Sequence, residues 1–366
     1  MKYFCSNNGK AISTDLNTPG DFLKTLENVS SGDIIYLFPG EYLFDKTIHI
    51  NCSNIEITNY TQTIFRSLNE VIFNFKNIPY VCNDYDYKKT KEYINNGNGL
   101  VIHGNNIKLS DIKIKFAAFR GLTNFGSFNI FDNIETSYNC DCGHHQAGGD
   151  NTIINCSSHH NFDYRFVKNG KFELGFNSDG FGDKMHSNNG NTYINCCAFN
   201  NGDDGFDFFQ RETPQDHPTI LKHCTSSYNS INEIDISLNE RLKDDPTFNK
   251  FDPYHYPCNN NGNGFKLGGI HHSSPEGYKN YHNVKLDNCI ALLNKHDGIS
   301  LNHNSGYVTL DNCISSYNNR YNFALNNSEE TITMTNCFST PTYHNMLKNI
   351  VDNYVKHAKV KNFNKI

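Results

Sequence analysis

One local pattern recurs along the chain and limits what it can fold into. An Asn or His is followed by Cys at Asn155-Cys156-Ser157, Asn195-Cys196-Cys197, His223-Cys224-Thr225, Asn288-Cys289-Ile290, Asn312-Cys313-Ile314 and Asn336-Cys337-Phe338. Cys289, Cys313 and Cys337 are spaced by 24 residues each time, and the earlier gaps are 40, 28 and 65. A basic turn of about two dozen residues, lengthened in places by loops, is in the range of repeat architectures. Each of the last three cysteines follows a short alternation of apolar and polar residues: Val284-Lys285-Leu286-Asp287, Val308-Thr309-Leu310-Asp311 and Ile332-Thr333-Met334-Thr335. A period of two marks half-buried strands rather than helices. Asn suits the bend that follows, because it tolerates left-handed backbone and satisfies neighbouring amides. A second Asn comes a few residues on, at Asn200, Asn229, Asn294 and Asn318. Short strands divided by Asn/Gly bends and stacked turn on turn describe an all-β solenoid, a parallel β-helix.

The cysteines fit the same picture. Equivalent positions stack into an internal column, where a thiol packs as a small apolar group. Thirteen Cys is an odd number, and their placement is not that of a disulfide framework. The run Cys140-Asp141-Cys142-Gly143-His144-His145 invites a zinc assignment. Its spacing fits no standard finger, and paired His recurs at His159-His160 and His271-His272, so a structural role is expected.

Composition bounds the partners. The chain has 366 residues, 19% of them charged, with a net charge of -6. About one residue in six is Asn, far above ordinary usage. The 13% aromatic content and the steady alternation argue against disorder. With no basic run, nucleic acid is not expected as a partner. With no run of about 18 apolar residues, no membrane span is expected. The opening Met1-Lys2-Tyr3-Phe4-Cys5-Ser6-Asn7-Asn8 lacks the apolar core of a secretory leader. One solenoid domain is expected: an N-terminal cap over about 13–31, coils over about 32–340 and a C-terminal cap over about 341–366. The first cap holds a short helix at Asp21-Phe22-Leu23-Lys24-Thr25-Leu26; the last has Leu347, Ile350, Val351 and Tyr354 at helical spacing. A long loop is expected within 210–259, and a capped solenoid is expected to be monomeric.

The densest acidic cluster is Ser178-Asp179-Gly180-Phe181-Gly182-Asp183-Lys184 followed by Gly202-Asp203-Asp204-Gly205-Phe206-Asp207. Asp179 and Asp203 are 24 residues apart, one basic turn, which predicts Asp179 directly beneath Asp203 with Asp204 and Asp207 projecting nearby. Four converging carboxylates repel unless a cation lies among them, and an oxygen-only ligand set favours Ca²⁺. Asp-Gly pairs also make plain turns, but two of them one turn apart with a third Asp added favour a site. A lone Lys266 sits within Asn261-Gly262-Asn263-Gly264-Phe265-Lys266-Leu267-Gly268-Gly269. An ordinary surface lysine is the plain reading; a lysine desolvated beside a bound cation is one that loses its proton readily.

The three motifs together, Asp179-Gly180-Phe181 with Lys184, Asp203-Asp204-Gly205-Phe206-Asp207 and Asn263-Gly264-Phe265-Lys266-Leu267-Gly268-Gly269, resemble the family-nine polysaccharide lyases, the pectate lyases of that family. The resemblance implies a right-handed parallel β-helix in which Asp179, Asp203, Asp204 and Asp207 bind Ca²⁺ and Lys266 is the base. It implies β-elimination on an acidic polysaccharide such as polygalacturonate, with Lys184 as a candidate partner for a substrate carboxylate. It also implies an extracellular enzyme, although the missing leader leaves an intracellular location open. Asp183 departs from the family pattern, as an extra acid that either discourages an anionic polymer or becomes a further ligand. So does the 210–259 segment, whose charged run Glu240-Arg241-Leu242-Lys243-Asp244-Asp245-Pro246 is placed to shape the cleft. Two other readings stand beside this one. A pectin-type glycoside hydrolase would use adjacent Asp203 and Asp204, but the Gly-His-Gly and Arg-x-Lys pairings are missing. A non-catalytic, glycan-binding β-helix is compatible with the fold alone.

Overall fold

The computed structural model describes residues 1–60, 69–78, 97–163, 175–184, 189–209, 211, 215–230, 261–269, 279–325 and 332–340, with strand backbone also at 167–168, 171–172, 359–361 and 364–365. Apart from one antiparallel pair, Val167–Lys168 with Lys171–Phe172, every described strand pairing is parallel, and each coil contributes a strand to up to three ladders. The first ladder runs from Lys2–Cys5 and Ile34–Leu37 to Ile332–Thr335 and Lys359–Lys361. The second runs from Gly40–Leu43 and Val71–Asn74 to Phe338–Ser339 and Asn364–Lys365. Strands Lys108–Lys115 and Ile130–Ser137 are long enough to serve both. The third ladder is a separate sheet of nine described strands, from Ile48–Ile50 to Phe323–Ala324, and it carries the candidate site.

The bend between the first two ladders is where the repeated Asn falls. Asn155, Asn195, His223, Asn288, Asn312 and Asn336 all have φ between 50° and 55°, the left-handed region in which Asn is several-fold enriched. Each bend turns the next residue inward, so Cys156, Cys196, Cys224, Cys289, Cys313 and Cys337 form a column at most 1% exposed. The thiols donate weakly to carbonyls of their own and the preceding coil, as Cys313 does to Asp311 and Leu286. The cysteines of the column form no disulfides.

A second stack lies at the corner that leads into the third sheet. Asn139, Asn161, Asn201, Asn229, Asn294 and Asn318 are buried; each of the first five donates its Nδ2 to the Oδ1 one coil on, and Asn318 donates to Asn322 four residues away, all over 2.8–3.1 Å. The backbone N–H of each residue reaches the same acceptor. The sequence pattern grouped Asn200 with Asn229, Asn294 and Asn318 as bend residues; Asn200 does take the left-handed bend at φ 53°, whereas the other three lie in the ladder, and Asn201 joins them there. A buried donor left without its acceptor costs about 1–3 kcal/mol. Asn229→Ala, which orphans the donors of Asn201, is therefore expected to lower the denaturant midpoint clearly, whereas Asn200→Ala loses only bend preference; equal midpoints for the two would refute the ladder's energetic role.

At the N-terminus the expected helix forms as Phe22–Leu26, capped by Asp21, whose carboxylate accepts the Lys24 N–H at 2.8 Å. Phe22 packs on Phe73, Phe44 and Tyr42, closing the end of the core. The coils begin earlier than expected, because Lys2–Cys5 is already a ladder strand. Within 210–259 the strands Thr219–Lys222 and Thr225–Ser227 complete a coil; residues 231–260, with Glu240 to Pro246, lie outside the described residues. So do His271-His272 and the helical pattern at Leu347, Ile350, Val351 and Tyr354, while the strands at 359–361 and 364–365 extend the ladders within the segment assigned to the C-terminal cap.

Candidate active site

The third sheet repeats a short unit in which a glycine precedes an inward aromatic or aliphatic residue. Phe181, Phe206 and Phe265 are fully buried and stack face to face, with centroids 4.8 and 4.9 Å apart. Gly180, Gly205 and Gly264 before them are packing glycines and have no positive φ. A Cβ at Gly205 would lie 1.9 Å from Ser226 Oγ and 2.7 Å from Asn229 Nδ2, so the sheet starts hard against the asparagine ladder. This close approach explains why Asp-Gly-Phe recurs.

The stack also fixes the register. Phe181 pairs with Phe206 and Gly182 with Asp207, an offset of 25 residues. Asp179 is therefore opposite Asp204, not Asp203 as the 24-residue spacing suggested, and its Oδ1 accepts the Asp204 N–H at 3.2 Å. Asp207 pairs in turn with Lys266, so the two point outward side by side on neighbouring strands. Asp179, Asp204 and Asp207 are all buried and each offers an oxygen within 4.8 Å of the others. Asp203 lies outside that group and is half-buried; its Oδ2 accepts the Asn177 N–H at 3.1 Å.

Both lysines enter this cluster. Lys184 is 7% exposed and bridges Asp179 Oδ2 at 2.6 Å and Asp207 Oδ2 at 2.8 Å. Its stem crosses Gly182, where a Cβ would lie 3.1 Å from Lys184 Cε; the glycine leaves the passage open. Lys266 Nζ donates to Asp204 Oδ2 at 2.9 Å, lies 3.3 Å from Asp207 Oδ1, and sits over the Phe209 ring at 5.4 Å. Asn263 holds the remaining Asp204 oxygen with two donors, its backbone N–H and its Nδ2, both at 2.7 Å. Asn263, Gly182 and Phe209 had no role assigned from sequence. Asn263 was legible there, because it precedes Gly-Phe in the place that Asp179 and Asp204 take in their own coils.

Burial and mutual repulsion shape the charges. Burial pushes the Asp179 carboxyl up to about 7 despite Lys184. Burial and the neighbouring carboxylates raise Asp203, and burial raises Asp204 against the pull of Lys266. Asp207 is buried too, but Lys184 and Lys266 together hold it below the usual carboxylate range. Burial works against the Lys266 ammonium, yet Asp204, Asp207 and the other acids outweigh it and raise its pKa. Asp207 Oδ1 is buried without a hydrogen-bond partner: Lys266 is near enough for an ion pair but poorly directed. Three convergent carboxylates and an orphaned oxygen form a donor set that suits a hard divalent cation such as Ca²⁺.

The other candidates resolve differently. Asp183 is interior, accepting from Asn191 Nδ2 and Tyr193 Oη and paired with the buried Arg211 at 3.4 Å. It neither faces a polymer nor joins the cluster. His144 is buried between Phe131 and Phe181 and held neutral by burial, its pKa near 3. Cys140 and Cys142 are buried, and this run contributes no ligand to a metal-competent group among the described residues.

A parallel β-helix that presents an acid–lysine cluster on one outer sheet defines the class. The chain belongs to the family described as Pel9A-like, right-handed β-helix region, whose model matches residues 3–345. It is 27% identical over 319 residues to pectate lyase L of Dickeya dadantii (strain 3937), covering 83% of this chain and 61% of that protein. To pectate lyase PEL9 of Emericella nidulans it is 25% identical over 286 residues, 77% of this chain and 64% of that protein. The chain thus spans about three-fifths of the length of these two relatives. Among solved structures, pectate lyase Pel9A superposes with a TM-score of 0.68 at 22% identity, covering 99% of this chain and 78% of that one. A rhamnogalacturonan lyase also scores 0.68, at 17% identity, covering 99% and 87%. At these identities the two structures support the fold alone.

Proposed function

We propose that this protein is a polysaccharide lyase that cleaves a uronate polymer such as polygalacturonate by β-elimination. The observation that carries the reading is the contact of Lys266 Nζ with two carboxylates, Asp204 and Asp207, of the buried cation-competent group. Family membership and the pectate lyases among its relatives agree with it. Asp179, Asp204 and Asp207 would hold the ion, with Asp203 next to them as a fourth ligand if its carboxylate leaves Asn177. Bound Ca²⁺ would polarise the sugar carboxylate, acidify the adjacent C5–H and offset the negative charge that holds the Lys266 proton.

Lys266 Nζ then removes the C5 proton. The C5–H electron pair becomes the C4–C5 double bond, and the C4–O4 bond breaks with its electron pair on O4, which takes a proton from solvent water and leaves as an alcohol. Phe209 beneath Lys266 limits the directions its ammonium can take and keeps water from that side. Asn263, with both donors on Asp204, fixes the carboxylate against which Lys266 is set. Lys184, in its bridging position, supplies positive charge to the cluster and would meet a substrate carboxylate only by leaving Asp179 or Asp207.

The test is ultraviolet absorbance of the unsaturated uronide on polygalacturonate, with Ca²⁺ or with chelator. A Ca²⁺-dependent rise is expected. Absence of any rise from folded protein on polygalacturonate and other polyuronates would overturn the reading, since neither hydrolysis nor binding generates that chromophore.

A further inference from the structure

The third sheet continues beyond the acid cluster towards the N-terminus, and its outer face there carries flat, exposed rings. The outward-register positions form one column, His49, Val101, Thr123, His145, Gly182, Asp207 and Lys266, in which Val101, Thr123 and His145 are buried. Two positions further along each strand runs a parallel line, His103, Phe125, Ala147 and Lys184, fixed by the pairing of Ile102, Asn124, Gln146 and Asp183. His49, His103 and Phe125 are all exposed. Their rings are stacked at 5.5 Å between successive centroids and within 14° of parallel, and His49 Nδ1 lies 3.2 Å from His103 Nε2. Phe125 is 46% exposed and Phe128 and Ile130, just beyond it, are 61% and 40% exposed. Such a cluster of exposed apolar rings on a soluble domain marks a ligand surface more often than it marks chance.

We propose that His49, His103 and Phe125 form a stacking platform for sugar rings of the same polyuronate chain that the acid cluster engages; this rests on the substrate class proposed above. Three features favour this occupant. The line that holds Phe125 leads to Lys184 in the acid cluster, with only the small, half-buried Ala147 between, so the rings and the cluster lie in one direction along the sheet. At about 4.8 Å per strand, Phe125 is roughly 10 Å from the Lys184 position and His49 roughly 24 Å from Asp207 along the sheet, which is a span for a polymer and not for a single sugar. The platform carries no carboxylate, so it opposes the C–H faces of pyranose rings without repelling their acids.

Affinity electrophoresis through gels containing polygalacturonate tests this without needing turnover. Phe125→Ala and His103→Ala alter exposed side chains, and circular dichroism checks their fold. Retardation of the wild type is expected to weaken by about five- to tenfold in apparent affinity in each variant, while a neutral β-glucan gel retards none of them. In the kinetic arm, kcat/KM on the long polymer falls by a similar factor, and kcat/KM on trigalacturonate, too short to span the roughly 19 Å over four strands from Lys266 to Phe125, does not change. Unchanged retardation in both variants, or equal losses on polymer and trimer, would overturn the platform, as would a wild type that no polyuronate retards. Retardation that depends on Phe125 in a protein that yields no unsaturated product would leave the platform standing and sink the lyase reading instead.

Discussion

Lys266→Ala is expected to lower kcat/KM on polygalacturonate by about a hundred- to ten-thousandfold while leaving the fold intact. A positioned general base contributes roughly 10²–10⁴, and no other described lysine faces the cluster except Lys184, which is taken up by Asp179 and Asp207. The side chain is only partly exposed, with 17% of its surface accessible, and its removal leaves Asp204 with Asn263 as partner. The variant should therefore still bind polymer and Ca²⁺. The pH profile gives a second readout. The carboxylates raise the pKa of Lys266, so the neutral amine is scarce near neutrality and log kcat/KM should climb with pH on the alkaline side. Residual activity of Lys266→Ala within tenfold of wild type, or a rate that falls between pH 7 and 9, would assign the base elsewhere.

Removing a cation ligand should have the other large effect, and it can be read without substrate. Asp204 joins the acid cluster to Lys266 and Asn263, so Asp204→Asn removes a charge from the ligand set and a partner from the base. Ca²⁺ affinity depends steeply on ligand charge, and a loss of about a hundredfold is expected. At an ion concentration a thousand times the wild-type Kd, Ca²⁺ adds about 4.1 kcal/mol to stability; the variant would keep about 1.4 kcal/mol of it by the same relation. Thermal midpoints with and without Ca²⁺ measure the difference. The gain should also shrink as pH falls from 8 to 5, because Asp179, with its carboxyl pushed up to about 7, and Asp203, raised as well, take up protons that compete with the ion. In the metal-free protein the sign is reversed. A carboxyl raised in the folded state favours folding below its unfolded pKa, and that contribution is lost as pH rises from about 4 through about 7. A Ca²⁺-induced shift equal at both pH values, or undiminished in Asp204→Asn, would remove this group of acids as the cation site.

How far the sequence could be read depended on how local the cause of each feature is. The 24-residue spacing of Cys289, Cys313 and Cys337 and the left-handed Asn before each come from residues that are neighbours in the chain, and they led to the stacked coils and to the buried thiol column. The helix at Phe22–Leu26 was visible for the same reason, since the Asp21 carboxylate caps it by accepting the N–H of Lys24, three residues on. The error of one residue in placing Asp179 came from taking the period of the Cys column as the period of the whole coil. Between Phe181 and Phe206 the third sheet has its own offset of 25, because corners of different length separate the ladders. Asn200 and Asn201 differ by one position for the same reason: which Asn bends and which one joins the ladder depends on the coil above and the coil below.

The sequence by itself determined the solenoid, the inward cysteines and the residue types available for chemistry, because strand alternation and left-handed Asn bends are set by a few adjacent residues. Only the tertiary structure decided which acids meet. It brought Asp179 to Asp204, set Asp207 beside Lys266, turned Asp183 inward to Arg211, and passed Lys184 over Gly182 into the cluster. These outcomes follow from the hydrogen-bonded register between coils 25 to 59 residues apart and from the stacked phenylalanines that hold it. No stretch of the chain contains that information alone.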